Sequence, residues 1–488
     1  MSVASPPLQR PVRKSVIESR PIRNPDVTSA SMMTTRGWWL VALNFLLPGS
    51  AQVLAGSRKL GRFGLGATVF MWLLLVFAGL GALLWPSGTF SIASGAWLPA
   101  PLSLLRPIPL LIVQGLFIAY AVLWIVLTVD TLRLVRLVRV KTLSRIGIPV
   151  LAIILAAASS TTAAYGAQVA GSTRDALGAI FGSSAAVEPP TDGYYNILLL
   201  GADSGEGRDS MRFDSISVVS VNADTGATTI TGIPRDLGHF PFAPGPMQDL
   251  YPDVHEGKSS ATCGWGSGIN QLRTEVEVCR DGTALYPDAV ANGSEPGVEA
   301  TKDAAEGLLG IRIPYYVFID MHGFAAMIDA LGGVDITVDQ RLPKGGGPQY
   351  PGEPADEWAI GWIEPGAQHM DGDTAQWYAR SRYTTNDWDR MLRQRQLQEA
   401  ILEQFTPETV LTRFQNVAAA GTNLVQTDLP QGLLPALVDL ALKAKEQPVT
   451  TIELTPEAHQ ISQDSPDVEY IRQLIDSTLH PPTPEPTE

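Results

Sequence analysis

The chain contains three long, almost uncharged apolar segments, at residues 62–85, 107–129 and 146–170. As a helix rising 1.5 Å per residue, each is long enough to cross a hydrocarbon core about 30 Å thick. A buried helix of a soluble protein can resemble one such segment, but three in succession are typical of a membrane protein. The sequence therefore predicts a helical transmembrane module over residues 37–170, preceded by a disordered, basic cytoplasmic tail at 1–36.

Basic residues predict the orientation of these spans, because cytoplasmic loops are enriched in Lys and Arg. Segment 133–145 has five basic residues and no acid, and a second basic cluster lies at 58–62. The loop 86–106 between the first two spans carries only Arg106. We therefore expect the first span to lead outward, the second to return and the third to lead out again. Everything after the third span is then extracytoplasmic, in a multi-pass protein of the cell membrane.

The apolar stretch 38–55 lies between two basic segments, 10–36 and 58–62, that both favour the cytoplasmic side. A single span between them would place one of the two outside. Pro48-Gly49-Ser50 also interrupts the stretch in its middle, where a continuous helix would be disfavoured. The sequence favours a re-entrant hairpin here over a fourth full span.

The charge of the chain is divided unequally between its two parts. Residues 1–170 contain 15 basic and 3 acidic residues, whereas residues 171–488 contain 20 basic and 46 acidic residues. Such a division indicates that the two parts lie in different surroundings. The net charge of −14 argues against a nucleic-acid-binding protein.

The second part is predicted to form one extracytoplasmic α/β domain at residues 194–479, with a linker at 171–193 and a flexible tail at 480–488. Strands interleaved with helices indicate an α/β/α sandwich, and ligands of such folds lie at the carboxyl ends of the strands. The predicted strands are 195–200, 215–221, 228–233, 315–319, 334–338 and 450–454, and the predicted helices are 323–331, 371–380, 390–404, 433–445 and 468–479.

The only two cysteines, Cys263 and Cys279, both fall in this domain. In an oxidising compartment a disulfide bond between them is the natural expectation. Two free, buried thiols are the alternative interpretation.

Arginines cluster in window 380–395, which contains five of the 20 basic residues that follow residue 170. The choice of Arg over Lys favours forked hydrogen bonding to phosphate oxygens. Surface salt bridges with Asp387 and Asp389 are the alternative explanation. The sequence lacks HExxH, CxxC, G-x-S-x-G and P-loop motifs, so it does not support zinc, serine-triad or P-loop chemistry.

Carboxylates and further arginines lie where predicted strands end or begin. Asp203 follows the first strand, Arg212 and Asp214 open the second, and Arg235 and Asp236 follow the third. Two carboxylates with arginines between them suit a hard divalent cation beside a phosphate. Turn formation and helix capping are the alternative roles of the residues after the third strand.

The second part of the chain resembles the LytR-CpsA-Psr family of cell-envelope phosphotransferases in six sequence blocks. The blocks occur in the family's order, which makes the set far more specific than any one of them. They are NILLLGAD at 196–203, RFDS at 212–215, IPRDL at 233–237, the block at 315–338, the block at 365–382 and DWDRMLRQ at 387–394.

The resemblance implies an Mg²⁺-dependent enzyme that transfers a polyprenyl-pyrophosphate-linked glycopolymer to peptidoglycan. The product would be a phosphodiester with the C6 hydroxyl of N-acetylmuramic acid. Asp203 and Asp214 would hold the metal, and either one would accept the proton of the attacking hydroxyl. The residues implied to bind the pyrophosphate are Arg212, Arg235, Arg380, Arg382, Arg390 and Gln394, with Arg235 also counted as catalytic.

The resemblance leaves several alternatives open. A hydrolase of polyprenyl pyrophosphate, or a non-catalytic envelope regulator that binds lipid-linked intermediates, would need the same charged residues. The apolar residues of the helix at 323–331, together with Val334, have two possible roles. They either form part of the hydrophobic core or line the lipid tunnel that the family places between the sheet and the helices. Region 237–300 matches the family poorly and is expected to form a lid facing the acceptor.

Overall fold

The computed structural model describes residues 22–181, 185–202, 212–257, 268–404, 413 and 425–481. The chain forms two compact units. The first, which is helical, comprises Met1–Trp85 and Leu110–Gly171, and the second, an α/β unit, comprises Pro86–Pro109 and Ser172–Glu488.

The structure contains the following helices and strands. The helices are α1 Ala30–Leu46, α2 Ser50–Ala55, α3 Arg58–Leu84, α4 Pro86–Ser94, α5 Ile108–Val135, α6 Thr142–Ile180, α7 Pro246–Leu250, α8 Leu272–Thr274, α9 Gly282–Leu285, α10 Pro296–Leu309, α11 Met321–Leu331, α12 Ala355–Trp358, α13 Gly372–Arg380, α14 Asp387–Gln404, α15 Leu434–Ala444, α16 Pro456–His459 and α17 Val468–Leu479. The strands are β1 Tyr194–Ala202, β2 Phe213–Asn222, β3 Thr228–Ile233, β4 Tyr315–Asp320, β5 Val334–Val338, β6 Leu342–Lys344, β7 Gly361–Ile363, β8 Gly366–Met370, β9 Val425–Thr427 and β10 Val449–Glu453.

The three predicted membrane spans are present as long apolar helices. Within the described residues, three helical segments are long and apolar enough to cross a membrane: Arg58–Leu84, Ala100–Arg139 and Thr142–Ile180. Most of their large apolar side chains, such as Phe77 and Leu83, are exposed to the surroundings of the protein. Contact of such an apolar surface with lipid chains is favourable, whereas its contact with water would cost free energy. The prediction of a membrane-anchored chain is confirmed.

The predicted interruption of the first apolar stretch lies between α1 and α2. Gly49 adopts a left-handed conformation with φ of 95°. A Cβ atom there would lie 2.5 Å from the carbonyl oxygen of Gly61 in α3, so only glycine permits this close approach. The chain therefore turns at this point instead of continuing as one helix. Re-entry of this segment into the membrane stays a prediction.

The α/β unit is built on a six-stranded mixed sheet with the order β10-β3-β2-β1-β4-β9. Strand β1 pairs antiparallel with β2 and parallel with β4. Two small antiparallel pairs, β5–β8 and β6–β7, lie outside this sheet. Every predicted strand and helix of this unit is present, with ends shifted by a few residues at most.

Alternation along β1 separates the two faces of the sheet, since successive side chains of a strand point to opposite sides. Leu198 and Leu200 pack in a core cluster with Val298 of α10 and Ile471 of α17. Leu199 points to the opposite face, where it lines an apolar cavity together with residues of α11 and α14. Helices thus cover both faces, which confirms the predicted α/β/α sandwich.

Two predicted connections contain regular structure. Helix α6 extends to Ile180, so the first ten residues of the predicted linker 171–193 are helical, because no proline or turn motif ends the helix at residue 170. The loop between the first two spans contains α4 and belongs to the α/β unit. Gln431 Nε2 donates to the Ser94 carbonyl oxygen at 3.0 Å there. The sequence, read segment by segment, contained no signal for this contact.

Cys263 lies outside the described residues, as do residues 1–21 and 482–488 of the predicted tails. The disulfide bond with Cys279 therefore stays a prediction.

We expect Cys263→Ser to lower the free energy of unfolding by about 3 kcal/mol, since a disulfide that closes a loop of roughly 15 residues restricts the unfolded chain by that amount. Differential scanning calorimetry with and without reductant measures the effect. Cys279→Ser should match it, and the double variant should lose no more than either single one. An unchanged unfolding temperature would mean that the thiols are free.

Candidate active site

Four strands bring their polar ends to one edge of the main sheet. Ala202, at the end of β1, is paired with Phe213 at the start of β2 and with Asp320 at the end of β4. Ile233, at the end of β3, is paired with Ile216 of β2. Because β2 runs antiparallel to its neighbours, Arg212 and Asp214 at its start lie near Arg235, which follows β3.

A cleft of about 710 Å³ opens at this edge. Five arginines and two aspartates line it, which makes its wall net positive in a strongly acidic part of the chain. Its lining consists of Arg212, Asp214, Arg235, Asp236, Asn270, Met321, Gly345, Gly346, Trp377, Arg380, Ser381, Arg382, Tyr383 and Arg390. Segments that are far apart in the sequence thus contribute arginines to one site that favours anions.

Arg235 lies among three carboxylates. Its Nη1 is 2.6 Å from Asp214 Oδ1, its Nε is 3.4 Å from Asp236 Oδ2 and its Nη2 is 3.5 Å from Asp387 Oδ1. Burial lowers the pKa of Arg235, but the charges of Asp387, Asp236 and Asp214 outweigh burial and raise that pKa above its usual value. Arg235 is therefore a permanent cation held in a fixed position.

Arg390 lies deeper, with only 5% of its surface exposed. Its Nη2 is 3.0 Å from Asp387 Oδ1, and its Nε has no hydrogen-bond partner among the described residues. Burial and the nearby charge of Arg235 lower the pKa of Arg390, and Asp387 and Asp214 only partly oppose this. A buried guanidinium with an unused donor beside a second arginine is in an environment that an anionic ligand would stabilise.

The five arginines of window 380–395 divide into two groups. Arg380, Arg382 and Arg390 line the cleft. Arg393 Nε instead donates to the Tyr378 carbonyl oxygen at 3.0 Å, and Arg395 Nε pairs with Glu453 Oε1 at 2.7 Å. These two contacts are buried, so the second group is structural. The pairing with Asp387 that the sequence allowed as the alternative is made by Arg390, at 3.0 Å.

Gln394 does not line the charged cleft. Its Nε2 lies 3.3 Å from the Ala379 carbonyl oxygen, to which it donates, and its side chain borders the apolar cavity on the helix side of the sheet. A direct pyrophosphate contact by Gln394 stays a prediction, and in this structure its amide group donates to α13 instead.

This apolar cavity has a volume of about 180 Å³ and lies next to the cleft, with Met321 lining both. Phe324 and Met327 of α11 line it, whereas Ile328 and Val334 pack in a separate buried cluster. The sequence left open whether these residues belong to the core or line a cavity. The structure places Phe324 and Met327 of α11 at the cavity and Ile328 of the same helix in the core. Side chains of β1–β4 and of α14 complete the lining.

Besides Ser381 and Tyr383, sequence reasoning missed another polar residue of the cleft, Asn270. It is only 3% exposed, and its backbone N–H donates to the Arg235 carbonyl oxygen at 3.0 Å. It lies in region 237–300, which carries no motif that could single it out. Part of the predicted lid is thus a wall of the cleft.

The metal site has only one of its two predicted ligands in the described part of the chain. Asp214 is there, one quarter exposed, while Asp203 lies outside the described residues. Within the described residues, no group of three or more His, Cys, Asp or Glu side chains is placed to hold a metal ion.

Known proteins resemble about half of this chain. The polyisoprenyl-teichoic acid–peptidoglycan teichoic acid transferase TagU of Bacillus cereus is 30% identical over 239 residues, 48% of this chain and 61% of TagU. Biofilm regulatory protein A of Streptococcus mutans is 25% identical over 241 residues, 48% of this chain and 50% of that protein. The chain therefore spans less than two thirds of the length of these relatives.

Solved structures of B. subtilis proteins also resemble part of this chain. The alignment with TagV covers 59% of this chain and 98% of the TagV chain, with a TM-score of 0.38 and 20% sequence identity. The alignment with TagU covers 61% of this chain and 100% of the TagU chain, with a TM-score of 0.36 and 17% sequence identity. The profile of the LytR_cpsA_psr family matches residues 156–239 and 280–473, which is more than half of the chain. The protein therefore belongs to the LytR_cpsA_psr family, which its sequence motifs resemble.

Proposed function

We propose that this protein transfers a polyprenyl-pyrophosphate-linked glycopolymer to the C6 hydroxyl of N-acetylmuramic acid in peptidoglycan. One observation carries the proposal: the net-positive cleft adjoins an apolar cavity, with Met321 at their shared border. This combination suits an amphiphilic donor with an anionic head and a lipid tail. The name of the relative TagU, a teichoic acid transferase acting with a polyisoprenyl carrier and peptidoglycan, supports the same reaction class.

In the proposed reaction the hydroxyl oxygen attacks the phosphorus that bears the saccharide. A new P–O bond forms, the P–O bond to the polyprenyl phosphate breaks, and polyprenyl phosphate leaves. Arg235 and Arg390, held in place by Asp387, would bind the oxygens on which negative charge accumulates. Arg380 and Arg382 line the open side of the cleft, where they would orient the second phosphate.

The proton of the attacking hydroxyl needs an acceptor. Asp214 is the carboxylate of the described cleft best placed for this role, since it is partly exposed and its position is set by Arg235 at 2.6 Å. Asp203 shares this candidacy through its motif. A carboxylate is a group that can accept such a proton as the new bond forms.

We also propose that the enzyme uses Mg²⁺. The donor set fits, because proteins usually hold Mg²⁺ through one or two carboxylates together with substrate phosphates. Asp214 and Asp203 would be those carboxylates. Bound Mg²⁺ would supply additional positive charge to the phosphate oxygens.

The membrane topology belongs to the same proposal. We place the α/β unit outside the cytoplasm, on the side opposite the basic segment 133–145. The segment Pro86–Pro109 between the first two spans belongs to the α/β unit, as this topology requires. Peptidoglycan would then be accessible to the cleft.

The test uses the full-length protein in detergent micelles with Mg²⁺, a polyprenyl-pyrophosphate-linked saccharide and a peptidoglycan oligomer. Mass spectrometry should detect the saccharide joined to the oligomer through phosphate, and Asp214→Asn should abolish this product. Free saccharide phosphate without a joined product, at several acceptor lengths, would instead indicate a pyrophosphate hydrolase. Retained lipid without any turnover would indicate the binding-only regulator.

The apolar cavity gives a separate prediction for the lipid. Val219 of β2 lines this cavity, so Val219→Phe should fill part of it and lower the amount of co-purifying polyprenyl lipid by about tenfold, which corresponds to 1.4 kcal/mol. Lipid extraction followed by mass spectrometry measures the amount. Val290→Phe is the matched control, because Val290 is 68% exposed and outside the cavity lining. Equal lipid content in both variants would rule out the cavity as the lipid site.

A further inference from the structure

Gly345 and Gly346 line the cleft, and Gly347 follows them in the chain. Gly345 and Gly347 have φ of 133° and 101°, a backbone region that favours glycine. A Cβ atom at Gly346 would meet no described atom within 4 Å, so this residue faces open space. Gly346, which is exposed, therefore presents bare backbone to the cleft.

Two aromatic side chains pack against these glycines. The Trp358 ring would lie 3.5 Å from a Cβ atom at Gly345, and the Tyr383 ring would collide with one at Gly347. The two rings meet edge to face with centroids 5.2 Å apart, and Tyr383 Oη donates to the Gly346 carbonyl oxygen at 2.9 Å. The glycines thus let the rings lie directly on the backbone in a fixed orientation.

Tyr383 is held in place but not covered. It is 48% exposed and lines the cleft beside Arg382, whose guanidinium carbon is 5.9 Å from its ring centroid. A fixed, exposed aromatic face next to exposed peptide groups suits a ligand that has both C–H faces and hydroxyl groups. A pyranose ring has this chemistry, since its C–H face stacks on the aromatic ring and its hydroxyls reach the peptide groups.

We propose that residues 345–347, Trp358 and Tyr383 form a saccharide subsite that stacks one pyranose ring beside the arginines of the cleft. We name this set the glycine–aromatic wall. The position of the sugar next to a reacting phosphate rests on the proposed function, but the binding of a saccharide does not. The sugar comes either from the acceptor glycan or from the first residue of the donor polymer, and both offer the same stacking face.

Binding experiments with the full-length protein in micelles test the wall without requiring turnover. Isothermal titration with a peptidoglycan oligomer and, separately, with a saccharide 1-phosphate shows which source the wall accepts. Tyr383→Ala should weaken binding of that ligand about tenfold, the equivalent of 1.4 kcal/mol, whereas Tyr383→Phe keeps the ring and should retain most of the affinity. Tyr470→Ala is the matched control, because Tyr470 is similarly exposed on α17.

A second variant tests the subsite independently, in case Tyr383→Ala destabilises the domain. Gly346→Leu adds a side chain into open space, so the domain should fold as before while the added side chain occupies the subsite. It should also weaken saccharide binding at least tenfold, and inorganic pyrophosphate should still bind within about twofold of the wild-type affinity, because that ion needs only the arginines.

Each outcome separates the subsite from the proposed reaction. Transfer by the wild-type protein with unchanged saccharide affinity in Tyr383→Ala and Gly346→Leu would overturn the subsite and leave the transferase intact. Saccharide binding that depends on the wall, without any transfer, would support the subsite and overturn the transferase. If the same variants reduce binding to phospholipid vesicles but not to either saccharide, the wall is a membrane contact and the proposal is wrong.

Discussion

Replacing Arg235 by alanine should lower the rate of transfer by about 10²–10³-fold, the loss typical of removing one preorganised donor to transition-state charge. Arg235 lies within 3.5 Å of three carboxylates, with Asp214 only 2.6 Å away. Its removal would eliminate the proposed forked contact to phosphate and leave Asp214 without the nearby cation. Both effects oppose the accumulation of negative charge on the donor phosphate.

The fold should tolerate this change. The side chains of Arg235 and its three partners are between 18% and 37% exposed, so water can solvate the carboxylates that remain. We therefore expect an unfolding temperature close to that of the wild type. Arg235→Lys keeps the charge but not the planar fork, and its rate should fall between the two.

Single-turnover kinetics with the lipid-linked saccharide measures the chemical step, and calorimetry on the same preparations measures stability. Arg341→Ala is the matched control, since Arg341 is 48% exposed and does not line the cleft. A rate loss below tenfold, or a loss that simply follows unfolding, would reduce Arg235 to a structural ion-pair partner.

The architecture was predictable because the relevant signals are local. Uninterrupted apolar segments such as 146–170 are most stable as helices in the hydrocarbon core of a membrane. The alternation of residue types along 215–221 favours a strand whose two faces pack differently. Even the break at Gly49 follows from neighbouring residues. The docking of Ser94 on Gln431 was not predictable, because two residues so distant in sequence are brought together only by the fold.

The charged site was predictable for a different reason. Arg212, Arg235 and Arg390 occur in short blocks at strand ends and at a helix start, so their convergence followed from the fold class. Gln394 shows the limit of that reasoning, since membership of the same block did not determine which way its side chain points. Arg390 and Gln394 are four residues apart on α14, yet one lines the cleft and the other the apolar cavity.

Replacing Arg395 should affect stability and not the transfer rate, which is the opposite of the expectation for Arg235, although both arginines belong to the α/β unit. Arg395 is 3% exposed and Glu453 is 6% exposed, and their Nε–Oε1 distance of 2.7 Å connects α14 to β10. Arg395→Ala should lower the free energy of unfolding by about 3–5 kcal/mol, because it leaves a buried carboxylate without a cation. The cleft arginines and their partners are untouched, so the folded fraction should keep its transfer rate.

The loss should depend on pH in a definite direction. Burial already raises the pKa of Glu453, and Arg395 only partly offsets this, so removing Arg395 raises that pKa further. The folded variant then binds a proton that the unfolded chain releases at its ordinary carboxyl pKa. The contribution of Glu453 to the stability of the variant is therefore greatest in acid and is lost as pH rises through the carboxyl range toward neutrality.

Chemical denaturation of Arg395→Ala at several pH values measures both the loss and its slope, with Arg341→Ala again as the exposed control. The double variant Arg395→Met/Glu453→Leu should recover most of the loss, because apolar side chains of similar size can replace a buried ion pair at little cost. If Arg395→Ala instead unfolded like the wild type but lost transfer, Arg395 would act on the substrate, and the division of the cluster into ligand-binding and structural arginines would be wrong.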